Sequence, residues 1–136
     1  GVAGRIRSSE DSIGYVEHHF AKRLGLAMAQ LQNKTGRYVA PAERTGQVAL
    51  TQSASRMPAN LRVFLPDPDG EDAYPIVTYT WLLLYDHYAD RDKASALRKF
   101  VAWGLTEGQT LSRELGNIPL PPEIATLSLA AVERID

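Results

Sequence analysis

Three consecutive residues, Glu17, His18 and His19, are of types that bind transition metals. A zinc site needs several such ligands converging on one ion. Side chains of adjacent helical residues point about 100° apart, so His18 and His19 would not share an ion. The chain also has no cysteine, which excludes thiolate sites and disulfides. We therefore expect a surface histidine pair and no metal site.

The acidic run at residues 67–72, Asp-Pro-Asp-Gly-Glu-Asp, has the composition of a calcium-binding loop. Such a loop needs glycine at its sixth position and a bidentate glutamate at its twelfth. Here Gly70 comes too early, and Thr78 stands where the glutamate should be. The spacing therefore predicts a proline-rich acidic turn.

Hydroxyl and arginine side chains are the remaining candidates for chemistry. No serine lies in a Gly-x-Ser-x-Gly context, so nothing supports hydrolase chemistry and we predict no catalytic residue. The arginines are scattered, whereas a tight anion site needs converging donors. Thr78 and Thr80 could point their hydroxyls toward a cleft and are the two candidate anion ligands. Packing against a neighbouring strand is the simpler interpretation of both.

The composition suits one domain with a modest core, because 136 residues include 44% hydrophobic and 23% charged residues. A formal net charge of -1 leaves no basic surface field for nucleic acid or an anionic membrane. No stretch reaches the roughly 20 apolar residues of a membrane helix, and the first residues lack the apolar core of a signal peptide. No cofactor is indicated.

Residues 73–86 are the stretch around which the other elements must be arranged. They combine β-branched and aromatic residues, follow a turn signal, and end in a continuous apolar run, which predicts one long buried strand. Pro75 fits only the beginning of such a strand, because it has no N–H for a ladder. A strand that is apolar on both faces must be covered on both, which is typical of α/β folds. The predicted fold class is therefore α/β, with a mixed sheet flanked by helices.

The rest of the chain supplies the covering elements. We expect the last turns of a helix at residues 1–9, a short strand at 12–17, a helix at 18–24 ended by Gly25, a hairpin joining 26–31 to 37–39, and a helix from Pro41 to about residue 55. Residues 57–72 read as irregular chain. Apolar periodicity from Ala94 predicts one helix of about six turns, capped by Asp90 or Asp92 and ended by Gly116.

Several side chains of this last part have expected packing roles. Gly104 and Gly108 are expected to allow a close contact with the long strand. A final helix begins at Pro121 or Pro122 and faces inward with Ile124, Leu127, Ala131, Val132 and Ile135. Tyr15, Tyr79, Trp81 and Trp103 are expected to pack in the core or between lobes.

Five separated motifs resemble, in the same order, the substrate-binding proteins of phosphate ABC transporters. They are Ser-Ile-Gly-Tyr-Val-Glu at 12–17 after Gly-Val-Ala at 1–3, Leu-Gln-Asn-Lys-Thr-Gly-Arg-Tyr-Val-Ala-Pro at 31–41, Gly-Glu-Asp-Ala-Tyr-Pro-Ile at 70–76, Leu-Arg-Lys-Phe-Val-Ala-Trp at 97–103 with Thr-Glu-Gly-Gln at 106–109, and Leu-Gly at 115–116 leading to Pro-Leu-Pro at 119–121. The resemblance covers nearly the whole chain.

The resemblance implies the C-terminal portion of a two-lobed, type II periplasmic-binding-protein fold. Residues 1–60 would end the second lobe, 61–72 would be a crossover linker, and 73–136 would return to the first lobe as a crossing strand and two helices. Members of the family close over phosphate held by backbone N–H groups, hydroxyls, an arginine and an aspartate. Their glycine-rich anion-binding motifs have no counterpart between Gly1 and Asp136, so no phosphate ligand is carried over and the family ligands are expected upstream.

The implied function is the phosphate-binding component of an ABC uptake system, periplasmic or at the cell surface, without enzymatic activity. Its expected partners are inorganic phosphate in the complete protein, an ABC permease, and either the missing N-terminal portion or a second copy. A chain without its upstream strands would expose a sheet edge and apolar helix faces. The alternative is a structural or interaction module derived from this family that does not bind phosphate on its own.

Overall fold

A computed structural model describes residues 1–136 as six α-helices, one short 3₁₀ turn and one two-stranded hairpin. The elements are α1 (Val2–Ser8), α2 (His18–Leu24), β1 (Leu31–Gln32), β2 (Tyr38–Val39), α3 (Glu43–Thr51), the 3₁₀ turn (Ala54–Arg56), α4 (Arg91–Leu105), α5 (Gly108–Glu114) and α6 (Pro122–Val132). This mixture of helix and strand is compatible with the α/β class. None of the helices combines the length and the apolar character needed to cross a bilayer.

Most of the local signals for helix ends are confirmed, but the helix predicted from Pro41 to about residue 55 begins at Glu43 and ends at Thr51. Gly25 adopts a left-handed conformation, φ 63°, and its N–H donates to the carbonyls of the last turn of α2. The Asp90 carboxylate accepts hydrogen bonds from the N–H groups of Asp92 and Lys93, both at 3.0 Å, and so caps α4. Pro122 opens α6, and Gly116, φ 83°, follows α5.

The hairpin is also confirmed, although its strands are short. β1 and β2 are antiparallel, with Leu31 opposite Val39 and Gln32 opposite Tyr38. Gly36, φ 84°, supplies the positive backbone angle that the turn requires. The predicted first strand at 26–31 is reduced to its last residue plus Gln32, because the rest of it has no ladder partner.

The long strand predicted at 73–86 is wrong as stated. The only bridge in this stretch joins Pro66 to Ile76, and no ladder extends from it. Over residues 76–82 one face is covered and the other is not, so that Ile76 is 70% and Leu82 68% exposed, and from Leu83, 91% exposed, the alternation is lost. The alternation of covered and exposed side chains agrees with the predicted strand. The ladder is missing, because a ladder also needs neighbouring strands and residues 1–136 form none beside this stretch.

The single helix of about six turns predicted from Ala94 is wrong. The structure has two helices, α4 and α5, separated at Thr106 and Glu107. The Thr106 hydroxyl donates to the Ala102 carbonyl at 2.8 Å, a local bond that competes with continuation of the helix. The expected glycine contacts with the strand are wrong as well. Gly104 has no neighbour within 4 Å of the position its Cβ would take, and Gly108 faces the carbonyl and ring of Trp103.

We expect Gly104→Ala to raise the free energy of unfolding by about 1 kcal/mol, because alanine has the higher helix propensity and the site is open. Gly108→Ala is the matched control. Its Cβ would lie 3.1 Å from the Trp103 carbonyl oxygen, so no comparable gain is expected there. Urea denaturation of the three proteins measures both effects, and an equal gain from both substitutions would contradict the open site at Gly104.

Three further predictions need correction. Residues 12–17 form no strand, and Ile13 and Tyr15 are almost fully exposed, because no other strand is close enough to pair with them. Trp103 and Leu127 are each about 43% exposed, so neither is a core residue, whereas Ile124, Val132 and Ile135 are buried as predicted.

The core lies between α3, α6 and residues 65–81. Its buried cluster consists of Leu50, Leu65, Tyr79 and Ile124. Trp81 and Leu120 are among the partly buried side chains that pack against this cluster. The covered face of residues 76–82 therefore rests directly on the core.

Candidate functional site

Residues 76–82, here called the extended segment, carry both candidate anion ligands. Thr78 and Thr80 are exposed, on the face of the segment opposite the core. The Thr78 hydroxyl donates to the Tyr79 carbonyl at 3.3 Å, and neither hydroxyl contacts a basic side chain by a hydrogen bond. Two surface depressions, beside α1 and α3, are not lined by either threonine. The structure therefore keeps these residues near each other but does not surround them with anion donors.

The inward face of the extended segment is fixed by polar contacts as well as by packing. The Tyr79 hydroxyl lies 2.7 Å from the Ser53 hydroxyl, and both reach the Leu50 carbonyl, at 3.2 and 2.7 Å. Burial raises the pKa of Tyr79, which keeps the phenol protonated at neutral pH. The Trp81 indole N–H donates to the Leu61 carbonyl at 2.8 Å. These contacts hold the segment against α3 and residues 61–66.

Asn33 connects the hairpin turn to residues 67–72, here called the acidic loop, and to Ala73. Only 2% of the surface of Asn33 is exposed. The amide nitrogen donates to the carbonyls of Gly70, Glu71 and Ala73, at 3.3, 2.8 and 3.3 Å. The amide oxygen accepts from Thr35 and Arg37 within the turn. One side chain thereby ties the turn to the loop that leads into the extended segment.

Ion pairs around Asn33 reinforce the same connection. Asp69 pairs with Lys34. Arg37 lies 3.0 Å from Glu71 and 3.1 Å from Asp72, and Arg44 of α3 lies 2.8 Å from Asp72. The acidic run is thus a turn whose carboxylates face basic side chains of this chain. Its predicted turn is confirmed, and three of its acidic groups are engaged by these pairs.

The ion pairs predict a pH dependence of stability. Hydrogen bonding and charge attraction from Lys34 lower the pKa of Asp69, and the same effects from Arg44 lower the pKa of Asp72. A carboxyl group whose pKa is lower in the folded state stabilises the protein at pH values above its unfolded-state pKa. This stabilisation is lost as the pH falls through the folded-state pKa. When the pH is lowered below about 4, we expect the denaturation midpoint to decrease. In Asp72→Asn this decrease should be smaller. Asp69 is exposed and Asp72 only half-buried, so high salt should weaken the effect. An unchanged pH dependence in Asp72→Asn would contradict it.

The histidine pair does not assemble a metal site. The His19 Nδ1 atom lies 3.7 Å from a carboxylate oxygen of Glu17. No other ion pair joins Glu17, His18 and His19. No cluster of three His, Asp or Glu side chains is arranged to hold an ion. His18 Nδ1 is buried without a hydrogen-bond partner, and both histidines are half-buried.

Sequence reasoning missed the two polar residues with the most connections. Asn33 was assigned only to a turn, although an asparagine that opens a turn often bonds its own backbone two residues on, which is a usable signal. Ser53 carries no comparable sequence signal, because its partner Tyr79 is 26 residues away. Their importance appears only when loops distant in sequence are brought together.

No protein-family model matches the chain. It is 33% identical over 148 aligned positions to the phosphate-binding protein PstS of Methanocaldococcus jannaschii, covering 99% of this chain and 38% of that protein. It is 32% identical over 124 positions to PstS of Pasteurella multocida, covering 91% and 36%, and 30% identical over 126 positions to PstS of Haemophilus influenzae, covering 93% and 38%.

The similarity extends along nearly the whole of this chain and includes the hairpin, the acidic loop and the extended segment. The chain spans little more than a third of the length of the curated relatives that it matches. Over about a third of their length, the chain is therefore a homologue of the phosphate-binding proteins named PstS.

Proposed function

We propose that the chain is part of the solute-binding component of a phosphate ABC uptake system. The observation that supports this most strongly is its similarity over nearly its whole length to several PstS proteins. The corresponding complete protein would be a two-lobed, type II binding protein, periplasmic or at the cell surface. It would deliver phosphate to an ABC permease and catalyse no reaction.

Within this proposal, residues 1–60 end the second lobe, 61–72 cross between lobes, and 73–136 return to the first lobe. Hinge closure around the ligand would then bias the relative position of the lobes. Asn33 would matter for this motion, because its hydrogen bonds join the hairpin of the first range to the start of the third.

The principal phosphate ligands are proposed to lie outside residues 1–136. A dehydrated anion needs several converging N–H or guanidinium donors. Three arginines that could serve, Arg37, Arg44 and Arg113, are paired with carboxylates. The hydroxyls of Thr78 and Thr80 stand apart from them, so this chain supplies at most an auxiliary contact.

The second candidate is an interaction module that has kept the packing of the family and not its ligand binding. The exposed apolar side chains favour it, because Ile76, Leu82 and Leu83 are each more than 65% exposed and would suit a protein interface. It differs from the first proposal in predicting no contribution to phosphate binding in any assembly.

A chimera tests the first proposal directly. The 136 residues replace the matched segment of the Pasteurella multocida PstS relative, and phosphate binding is measured by calorimetry. We expect saturable binding at micromolar phosphate by the chimera and none by the 136-residue chain alone.

Two controls locate the ligands. Thr78→Val and Thr80→Val in the chimera should leave binding within a few fold of the parent, because the main donors are supplied by the relative. A chimera that folds, as judged by a cooperative melt, but binds no phosphate would refute the proposal in favour of the interaction module. Tight binding by the isolated chain would refute the placement of the ligands.

A further inference from the structure

The acidic loop contains the only Asp-Gly pair of the chain, Asp69–Gly70, and no Asn-Gly pair occurs. The carboxyl carbon of an aspartate can be attacked by the backbone nitrogen of the next residue, which closes a succinimide ring. Glycine hinders this attack least, because it has no Cβ and its backbone turns freely. The pair is therefore the position at which the sequence is most susceptible to rearrangement of its backbone.

The structure leaves both reacting groups of this pair accessible. The Asp69 side chain is 65% exposed. The Gly70 N–H donates a hydrogen bond to no group of the protein. At Asp72–Ala73, in the same loop, the Ala73 N–H donates to the Gly70 carbonyl at 3.0 Å, and Ala73 is buried. Attack by the backbone nitrogen therefore costs no hydrogen bond at Asp69 but breaks one at Asp72.

One contact opposes the reaction. The Lys34 ammonium group pairs with the Asp69 carboxylate, and the Lys34 N–H donates to the Asp67 carboxylate at 3.1 Å. The hydrogen bond and charge of Lys34 lower the pKa of Asp69, and the charge of Arg56 acts in the same direction. An ionised carboxylate is a poor electrophile, because neither of its oxygens can leave as water. The ion pair therefore holds Asp69 in its unreactive form.

We propose that Asp69 is converted to isoaspartate through a succinimide formed with the Gly70 nitrogen, and that the ion pair with Lys34 restrains this reaction. The Gly70 nitrogen bonds to the Asp69 carboxyl carbon, and the amide proton leaves with the carboxyl hydroxyl as water. Water then adds to one of the two ring carbonyls. Cleavage at the side-chain carbonyl restores aspartate, and cleavage at the main-chain carbonyl gives isoaspartate. The reaction needs no oxidant or reductant.

Isomerisation at this position acts on the connection made by Asn33. Isoaspartate carries the main chain through its side chain and so lengthens the backbone by one methylene group. The Gly70 carbonyl accepts hydrogen bonds from the Asn33 amide at 3.3 Å and from the Ala73 N–H at 3.0 Å. A Cβ at Gly70 would lie 3.1 Å from the Val48 side chain, so the loop has little room to shift. The longer backbone therefore displaces this carbonyl from its two donors.

Peptide mapping of the aged chain tests the site. The purified chain is incubated at physiological temperature and mildly acidic pH, and isoaspartate is located by electron-transfer fragmentation, which distinguishes it from aspartate of equal mass. We expect it first at Asp69, with Asp72 as the matched control in the same loop. Asp69→Glu should abolish accumulation there, because glutamate closes its larger ring far more slowly. Equal or faster accumulation at Asp72 overturns the proposal.

The restraint by Lys34 is measured in the folded chain and in denaturing urea, where the ion pair is absent. We expect Asp69 to isomerise more slowly in the folded chain than in urea. In the folded chain Lys34→Met should isomerise about two- to fivefold faster than the parent, as loss of an exposed ion pair predicts. Lys34→Arg keeps the charge and should behave as the parent. Equal rates in Lys34→Met and the parent overturn the restraint, and so do equal rates of the parent with and without urea.

The effect on the loop is tested on the same aged samples. The denaturation midpoint in urea should fall as the isoaspartate fraction rises. Asp69→Glu aged for the same time is the control and should keep its midpoint. An unchanged midpoint in the isomerised parent overturns the effect on the Asn33 connection.

Discussion

Replacing Asn33 with alanine is expected to lower the free energy of unfolding by about 3 kcal/mol, because it leaves several buried backbone groups without partners. The carbonyls of Gly70, Glu71 and Ala73 lose their donor. The N–H groups of Thr35 and Arg37 lose their acceptor at the same time. Urea denaturation followed by circular dichroism measures the loss.

The neighbouring residue provides the control for this experiment. Gln32 is exposed, and its side chain makes one hydrogen bond, to the Gly36 carbonyl at 3.1 Å. Gln32→Ala should therefore change the free energy of unfolding by less than about 0.5 kcal/mol. If Asn33→Ala is as mild as Gln32→Ala, the connection between the hairpin turn and the acidic loop does not contribute to stability.

Replacing Tyr79 with alanine is expected to lower the free energy of unfolding by about 4 kcal/mol, since it removes a buried ring from the core and leaves a cavity. The same change frees the extended segment from α3. Tyr79→Phe keeps the ring and removes the hydroxyl that Ser53 contacts, so its cost should be about 1 kcal/mol. The difference between the two variants separates packing from hydrogen bonding.

An exposed tyrosine nearby is the matched control. Tyr85 is 75% exposed and contacts Tyr88 at the surface, so Tyr85→Ala should cost less than about 0.5 kcal/mol. Thermal melts monitored by near-ultraviolet circular dichroism compare all three variants. Similar losses in Tyr79→Ala and Tyr85→Ala would mean that residues 76–82 are not anchored through Tyr79.

Both predictions bear on function through the position of the extended segment. Asn33 fixes the loop that enters it, and Tyr79 fixes its covered face. Either substitution should therefore loosen the extended segment against the core.

The features predictable from sequence are those decided by a few neighbouring residues. Gly25 ends α2, Asp90 caps α4, Pro122 opens α6, and the Asn33–Gly36 turn closes the hairpin. In each case the responsible group and its partner lie within one turn of chain. Local sterics and a nearby donor or acceptor therefore suffice to select the conformation.

The candidate site was predictable in type but not in arrangement. Thr78 and Thr80 were assigned to an apolar strand, and their alternation with Val77 and Tyr79 correctly anticipates which side chains face the core. The predicted burial of both faces failed, because burial depends on neighbours and not on the apolar pattern of the strand itself. The Asn33 and Ser53 contacts were not predicted, since their partners lie more than 20 residues away.

The sequence by itself determined the family, the positions of the helix caps and turns, and the alternation of the extended segment. Only the tertiary structure decided that α4 and α5 are separate, that Asn33 joins two distant loops, and that one face of residues 76–82 is uncovered. The physical reason is range: caps and turns are set by contacts within a few residues, whereas ladders and buried polar networks depend on segments that only the folded chain brings together.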